Sequence, residues 1–344
     1  MDELTRVRKY ERLGNHHTIS AERALRQHML ANSPLLRFVD TVHLWFSAGK
    51  AFAVAGEWED AGRMFAQCAE MALHTISRGR PTLESALYFL KSAEMKRRFD
   101  PAEAIDPYVQ AIFCFRSIGR FLTAANLAVC VAEVYDEEQD DFGAIEYYQK
   151  ASQYYQEENY HHQSTACLLK VAHRAAMIER FEFATETFDT VAKVYVEDNL
   201  LRLNMPNIFL RGALCQLAAA GSIRGTLNNH KVLRWYMTKW CVLDFTFTFS
   251  REHLFLENLL SAIANADIHM FVDHIYSFDN ISHLDTWCLT LLNRVREDIE
   301  EEIDRRASEE EERKNGSSKE KSRERKETSS KEENTMAADD DSGA

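Results

Sequence analysis

Ala144-Ile145-Glu146-Tyr147-Tyr148-Gln149-Lys150-Ala151 is the stretch that decides the fold. Ala144, Tyr148 and Ala151 stand at i, i+4 and i+7, on one face of a helix. The same small–large–small pattern recurs at Ala104, Tyr108 and Ala111 and at Ala184, Phe188 and Val191, each set 40 residues from the next. It also occurs at Ala61, Phe65 and Cys68, which lie 43 residues before Ala104, Tyr108 and Ala111. The extra three residues are assigned to the Arg78-Gly79-Arg80-Pro81 turn. A second set interleaves, with Ala125, Ala128 and Ala132 followed 40 residues later by Thr165, Leu168 and Ala172. Each beat therefore holds two amphipathic helices, small residues on one opposite an aromatic on its neighbour. This is the mark of an all-α, TPR-like solenoid of antiparallel helical hairpins. A standard tetratricopeptide repeat spans about 34 residues, so the longer beat predicts longer helices. Asp100-Pro101 and Asp140-Asp141 supply N-cap chemistry ahead of two of them.

Composition agrees with long helices and short connectors. Gly and Pro number 12 and 5 in 344 residues, too few for the frequent turns of a sheet-rich chain. Net charge is −13, with much of it in the segment from Arg296 onward, which disfavours a general nucleic-acid or anionic-membrane binder while leaving room for a local basic groove. The seven cysteines form no CxxC pair, and most sit among apolar residues, as reduced core thiols do. Neither a signal-peptide h-region nor an apolar run of bilayer length is found, so the expected protein is cytosolic with at most peripheral membrane contact.

Beyond Tyr195 the beat weakens. Met205-Pro206 breaks one helix or starts the next. Trp235 to Phe249, with alternating Phe245, Phe247 and Phe249, looks locally like a strand, but the preferred reading is an aromatic-rich turn clamping the solenoid to a C-terminal bundle. Apolar periodicity returns from Leu254 to Ile303. The expected organisation is an N-terminal helix and contact loop over 1–40, the solenoid over 41–200, a C-terminal helical bundle over 201–303 and a disordered charged tail over 304–344.

Catalytic motifs are missing. His16-His17 and His161-His162 lack partners at metal-binding spacing and read as surface histidines. No phosphate-binding Gly-rich loop and no GxSxG stands in the chain. The reading is a non-enzyme that needs no cofactor or metal and binds polypeptides along a solenoid face.

A second set of residues carries a family resemblance: Gly119-Arg120-Phe121, Cys167-Leu168-Leu169-Lys170-Val171-Ala172, Ala213-Leu214-Cys215, and Ile281-Ser282-His283-Leu284-Asp285-Thr286-Trp287 with Leu291-Leu292 and Arg294. From about Val42 to Arg296 the chain resembles the soluble NSF attachment proteins, the SNAP family, and its alpha/beta branch in particular. The resemblance implies an adaptor that coats the four-helix SNARE bundle and recruits the hexameric ATPase N-ethylmaleimide-sensitive factor to disassemble it. Such an adaptor works in vesicle trafficking, peripherally on vesicle, Golgi, ER or plasma membranes. It hydrolyses nothing itself.

Carried over by position, the SNARE-facing cations are Arg120, Lys170, Arg202, Arg211 and Arg251, while three family lysine positions hold Asn126, Ala166 and Pro206. Glutamates of the ATPase-facing bundle are replaced by Ser261, Ala264 and Asn265, and Glu297, Asp298, Glu300, Glu301 and Glu302 are the acids that remain there. The family ends near a leucine soon after its last helix, whereas this chain runs on to Gly343-Ala344. The membrane-contact loop aligns with Met29, Leu30, Leu35 and Leu36. These departures set an alternative beside the adaptor: a divergent scaffold or brake that binds helical partners without activating the ATPase.

Overall fold

Ile118-Gly119-Arg120, Glu138-Gln139-Asp140, Glu158-Asn159-Tyr160 and Ile178-Glu179-Arg180 are three-residue turns placed 20 residues apart. Their middle residues take left-handed φ values of 76°, 60°, 61° and 61°. In each, the third residue donates its N–H to the carbonyl five positions back, from Arg120 to Phe115, Asp140 to Tyr135, Tyr160 to Tyr155 and Arg180 to Ala175, at 2.8–2.9 Å. This left-handed cap closes one helix and aims the chain back along it. The helices so bounded are α6 (Phe121–Glu137), α7 (Asp141–Glu157), α8 (His161–Met177) and α9 (Phe181–Glu197), all of 17 residues. The 40-residue beat is thus two equal halves, one helix and one turn each.

The computed structural model describes residues 3–30, 35–197, 201–219, 226–301, 303–305 and 308. All regular elements among them are helical. The chain divides into two units, Met1–Arg202 and Leu203–Ala344. The first begins with α1 (Glu3–Leu30), α2 (Leu35–Ala55) and α3 (Trp58–Glu70), continues through a π-helical stretch (Met71–Ile76) to α4 (Leu83–Phe99), and reaches α5 (Ile105–Ser117) by a 3₁₀ turn (Ala102–Ala104). The three extra residues fall between α3 and α4, shared between the π-helical stretch and the Ser77–Thr82 turn rather than held by the turn alone.

The small–large pattern is the core. Every member of the four sets is buried, none more than 4% exposed. In the interleaved sets Leu168 alone is only half-buried. Each buried aromatic contributes roughly 1.5–3 kcal/mol relative to exposure. Close approach sets the small positions: a Cβ on Gly143 of α7 would stand 2.6 Å from the Tyr135 ring of α6. Asp140 caps α7, accepting from the N–H groups of Phe142 and Gly143 at 3.1 Å. Asp100 accepts from Ala102 N–H at 3.0 Å, ahead of the 3₁₀ turn.

The second unit holds α10 (Met205–Ala219), α11 (Thr226–Leu243), a 3₁₀ turn (Phe245–Phe249), α12 (Arg251–Asn265), α13 (Ile268–Asp279) and α14 over 286–301. Pro206 starts α10, in the first turn where its missing N–H is harmless. Trp235 to Phe249 forms the preferred aromatic turn and not a strand: the helix runs to Leu243, and Asp244 caps the turn through Thr246 N–H at 3.2 Å. Only Phe247 of the three phenylalanines turns inward, 4.8 Å from the Phe209 ring and 5.1 Å from His253. Alternation resembles a strand on paper, but a tight helical turn with one inward ring satisfies the same residues. Of the tail expected from 304, Asp304, Arg305 and Ser308 are helical and the rest lies outside the described residues.

Because a Cβ on Gly119 would meet nothing within 4 Å, Gly119→Ala tests the turn conformation alone. It should lower stability by about 1 kcal/mol. Glu179→Gly at the equivalent turn should raise stability by about 0.5–1 kcal/mol. Denaturant melts of the two variants check both signs.

Candidate functional site

Alternate helices of the first unit are tied by charge. Arg97 on α4 reaches Glu137 at 3.3 Å and Glu133 at 4.0 Å, both on α6. Lys170 on α8 lies 4.0 Å from the same Glu133. Arg174 on α8 pairs with Asp136 of α6 at 3.1 Å and with Asp141, at the start of α7, at 3.0 Å. Tyr148, from the core pattern of α7, donates its hydroxyl to Asp136 at 2.8 Å and accepts from the Lys170 ammonium at 3.1 Å. Burial, reinforced by Asp136, pushes the Tyr148 hydroxyl far above its ordinary range, so it stays protonated as a donor. These pairs are partly solvated, each worth at most about 1 kcal/mol. Their larger effect is to offset positive charge on this face.

The five cations named from the resemblance fall in different settings. Arg120 occupies the N-cap position of α6 and is exposed. Lys170 is exposed in the middle of α8, at the level Cys130 occupies one beat earlier on α6. At 1.5 Å per residue that level is about 15 Å along the helix axis from the Arg120 level. Arg202 lies half-buried in the 3₁₀ turn Leu201–Asn204 at the end of the first unit. Arg251 is exposed in the first turn of α12 in the second unit. Arg97, Glu133, Asp136 and Arg174 were not singled out in the sequence, although Arg97 and Glu137 stand one 40-residue beat apart.

Arg211 is committed to the fold of the second unit. From α10 its guanidinium meets Asp285 at 2.5 Å and Asn207 at 3.2 Å, and lies 5.5 Å from the Trp287 ring centroid. Asp285 also caps α14, accepting from Cys288 N–H at 2.9 Å. The Ile281–Trp287 signature is therefore a brace between α10 and the start of α14. Burial alone would raise the Asp285 carboxyl, but Cys288 N–H and Arg211 outweigh it and hold it below its ordinary range.

Among the acids of α14, Glu297, Glu300 and Glu301 are exposed, with Glu300 3.5 Å from Arg296. Asp298 is half-buried, and burial lifts its carboxyl above the ordinary range. Glu302 lies outside the described residues. Ser261, Ala264 and Asn265 are exposed on α12. Asn126 is exposed and accepts from the Tyr155 hydroxyl at 2.6 Å. Met29 is 70% exposed at the end of α1. Residues 31–34 of the contact loop lie outside the described residues, as do the side chains of Leu30, Leu35 and Leu36. His16, His161 and His162 are exposed and His17 half-buried. No cluster of three metal-binding side chains occurs among the described residues. Nor is any described helix long and apolar enough to cross a membrane. Burial raises the thiols of Cys68 and Cys288 to about 12 and that of Cys167 to about 11, far from a reactive thiolate at neutral pH.

Helices of equal length, capped hairpin by hairpin and tied crosswise by ion pairs, define a helical-repeat protein of the solenoid class. The sequence pattern of the family described as "Soluble NSF attachment protein, SNAP" matches residues 14–300, and the chain belongs to that family. It is 30% identical over 265 residues to the beta-soluble NSF attachment protein of Bos taurus, spanning 77% of this chain and 85% of that one. Against the alpha-soluble NSF attachment protein of Homo sapiens it is 29% identical over 269 residues, 78% of this chain and 87% of that one. The alpha protein of Saccharomyces cerevisiae shares 27% over 271 residues, 72% and 88% of the two chains.

The two aspartates of the second unit should respond oppositely to pH. A depressed carboxyl stabilises the fold above its ordinary range and loses that contribution as pH falls through it; a raised carboxyl does the reverse. Asp285→Asn should lower Tm at neutral pH, with the deficit shrinking toward about pH 3. Asp298→Asn should raise Tm at neutral pH, with that gain shrinking over the same range. Thermal melts across pH check both signs.

Proposed function

We propose that this chain is a SNAP-type adaptor that binds SNARE four-helix bundles and recruits the hexameric ATPase N-ethylmaleimide-sensitive factor for their disassembly. It would work peripherally on membranes in vesicle traffic, and it catalyses nothing itself. The observation that carries this reading is the family match over residues 14–300, which extends through both units. In it, the hairpins of 41–200 supply the SNARE grip through Arg120 and Lys170, joined by Arg202 just past them and Arg251 on α12, and the bundle of 201–303 presents Glu297, Glu300 and Glu301 to the ATPase. Arg211 contributes indirectly, through the brace to Asp285. Met29, Leu30, Leu35 and Leu36 touch the bilayer.

One observation favours the second reading, a brake that holds SNARE bundles without activating the ATPase. Glu133 stands 4.0 Å from both Arg97 and Lys170, and the positions where lysines are expected carry Asn126, Ala166 and Pro206. A face so neutralised grips an acidic bundle more weakly.

Disassembly of a purified SNARE bundle by the ATPase, with this chain as sole adaptor, separates the readings. ATP-dependent disassembly supports the adaptor, binding without disassembly supports the brake, and loss of both removes the assignment. Arg120→Glu with Lys170→Glu should weaken SNARE binding by roughly tens-fold. Unchanged affinity in a pull-down at low and moderate salt would contradict the groove.

A further inference from the structure

The charge of the chain reverses locally. Between Asp198 and Asp244 there is no Asp or Glu, while Arg202, Arg211, Arg224, Lys231, Arg234 and Lys239 all fall inside that stretch. Helix α11 carries three of these cations and sorts its faces cleanly. Leu233, Met237 and Trp240, at i, i+4 and i+7, are 0%, 2% and 0% exposed. By helical periodicity the opposite face carries Lys231, Trp235, Thr238 and Val242, with Trp235 60% and Val242 84% exposed. Arg234 is exposed beside it, and the Lys239 ammonium lies 5.5 Å from the Trp235 ring centroid.

The turn that follows extends the same chemistry. Phe245 and Phe249 are 68% and 77% exposed, their rings edge to face at 5.3 Å, and exposed Arg251 follows Ser250 just beyond them. Asp244, which ends the acid-free stretch, is fully buried and accepts from the Thr246 hydroxyl at 2.8 Å. A folded chain gains nothing by leaving Trp, Val and two Phe side chains in water.

We infer that the outward face of α11 and the Phe245–Phe249 turn is a docking site for an anionic membrane surface, separate from the Met29–Leu36 segment. Charge complementarity chooses the occupant. Lys231, Arg234, Lys239 and Arg251 suit acidic headgroups. Trp235 takes the interfacial level that indole favours, and Val242, Phe245 and Phe249 enter the boundary of the acyl chains. Lys239 lies along the Trp235 ring, 5.5 Å from its centroid, the stem-on-ring arrangement that snorkelling lysines use.

The test uses the full chain with vesicles of phosphatidylserine and brominated phosphatidylcholine. Tryptophan emission should be quenched on binding, and Trp235→Phe should remove most of that quenching. Phe245→Ser with Phe249→Ser should lower vesicle partition about tenfold or more. Lys231→Ala and Arg234→Ala should each lower it by about fivefold. Met29→Ser should leave the Trp235 quenching in place. Quenching unchanged by Trp235→Phe, equal binding to vesicles without phosphatidylserine, or no vesicle binding would each overturn the site. A Trp235 response to a SNARE bundle alone, with vesicles silent, would make this face a protein-docking surface and overturn it as well.

Discussion

The left-handed three-residue turn is the constraint on which the first unit depends. It fixes helix length at 17 residues from α6 to α9 and repeats every 20. Because both half-beats have the same length, Tyr148 of α7 arrives at the level where Asp136 of α6 and Lys170 of α8 can meet its hydroxyl. A turn one residue longer would rotate the next helix by about 100° and present another side chain. Gly, Gln, Asn and Glu occupy the left-handed positions at 119, 139, 159 and 179, so three of the four turns hold a residue with a Cβ in a conformation that glycine adopts most easily. The buried Ala–aromatic sets and the carbonyl bonds of the turn offset that cost.

With the helices in place, charge rather than cavity shape defines the surface. Arg97, Lys170 and Arg174 are interleaved with Glu133, Asp136, Glu137 and Asp141 across α4, α6, α7 and α8. Such a ladder adds little to stability in water. It does set how much positive potential the face offers to an acidic partner, and so how steeply binding depends on salt. The acid-free stretch that includes α10 and α11 has the opposite character, positive with exposed aromatics. One chain thus carries two surfaces of different charge character.

The solenoid was legible because Ala61, Phe65 and Cys68 and their counterparts are required by packing, and packing repeats. The half-beat was hidden because its turns share a backbone conformation rather than a residue type. The aromatic turn at Phe245–Phe249 was ambiguous for a related reason: alternation in a short apolar run fits either a strand or a tight turn, and only the partners of Phe247 decide it. At the candidate site, the resemblance named Arg211 but not its pairing with Asp285, which lies 74 residues away. The ion pairs of Glu133 were out of reach for the same reason: pairing follows from which helices lie adjacent, which the spacing of charges alone does not reveal. The proposed membrane face was half legible, since the run without acids can be counted in the sequence but the outward turn of Trp235 cannot.

Glu133 stands 4.0 Å from both Arg97 and Lys170, so it offsets the positive charge with which the proposed adaptor would hold an acidic helical bundle. Binding of the Glu133→Gln variant to a purified SNARE bundle across a salt series tests it most directly. Affinity several-fold above that of the unsubstituted chain at low salt, with the gain shrinking as salt rises, is the expected result. Unchanged or weaker binding at low salt would contradict it and place the SNARE grip away from this face.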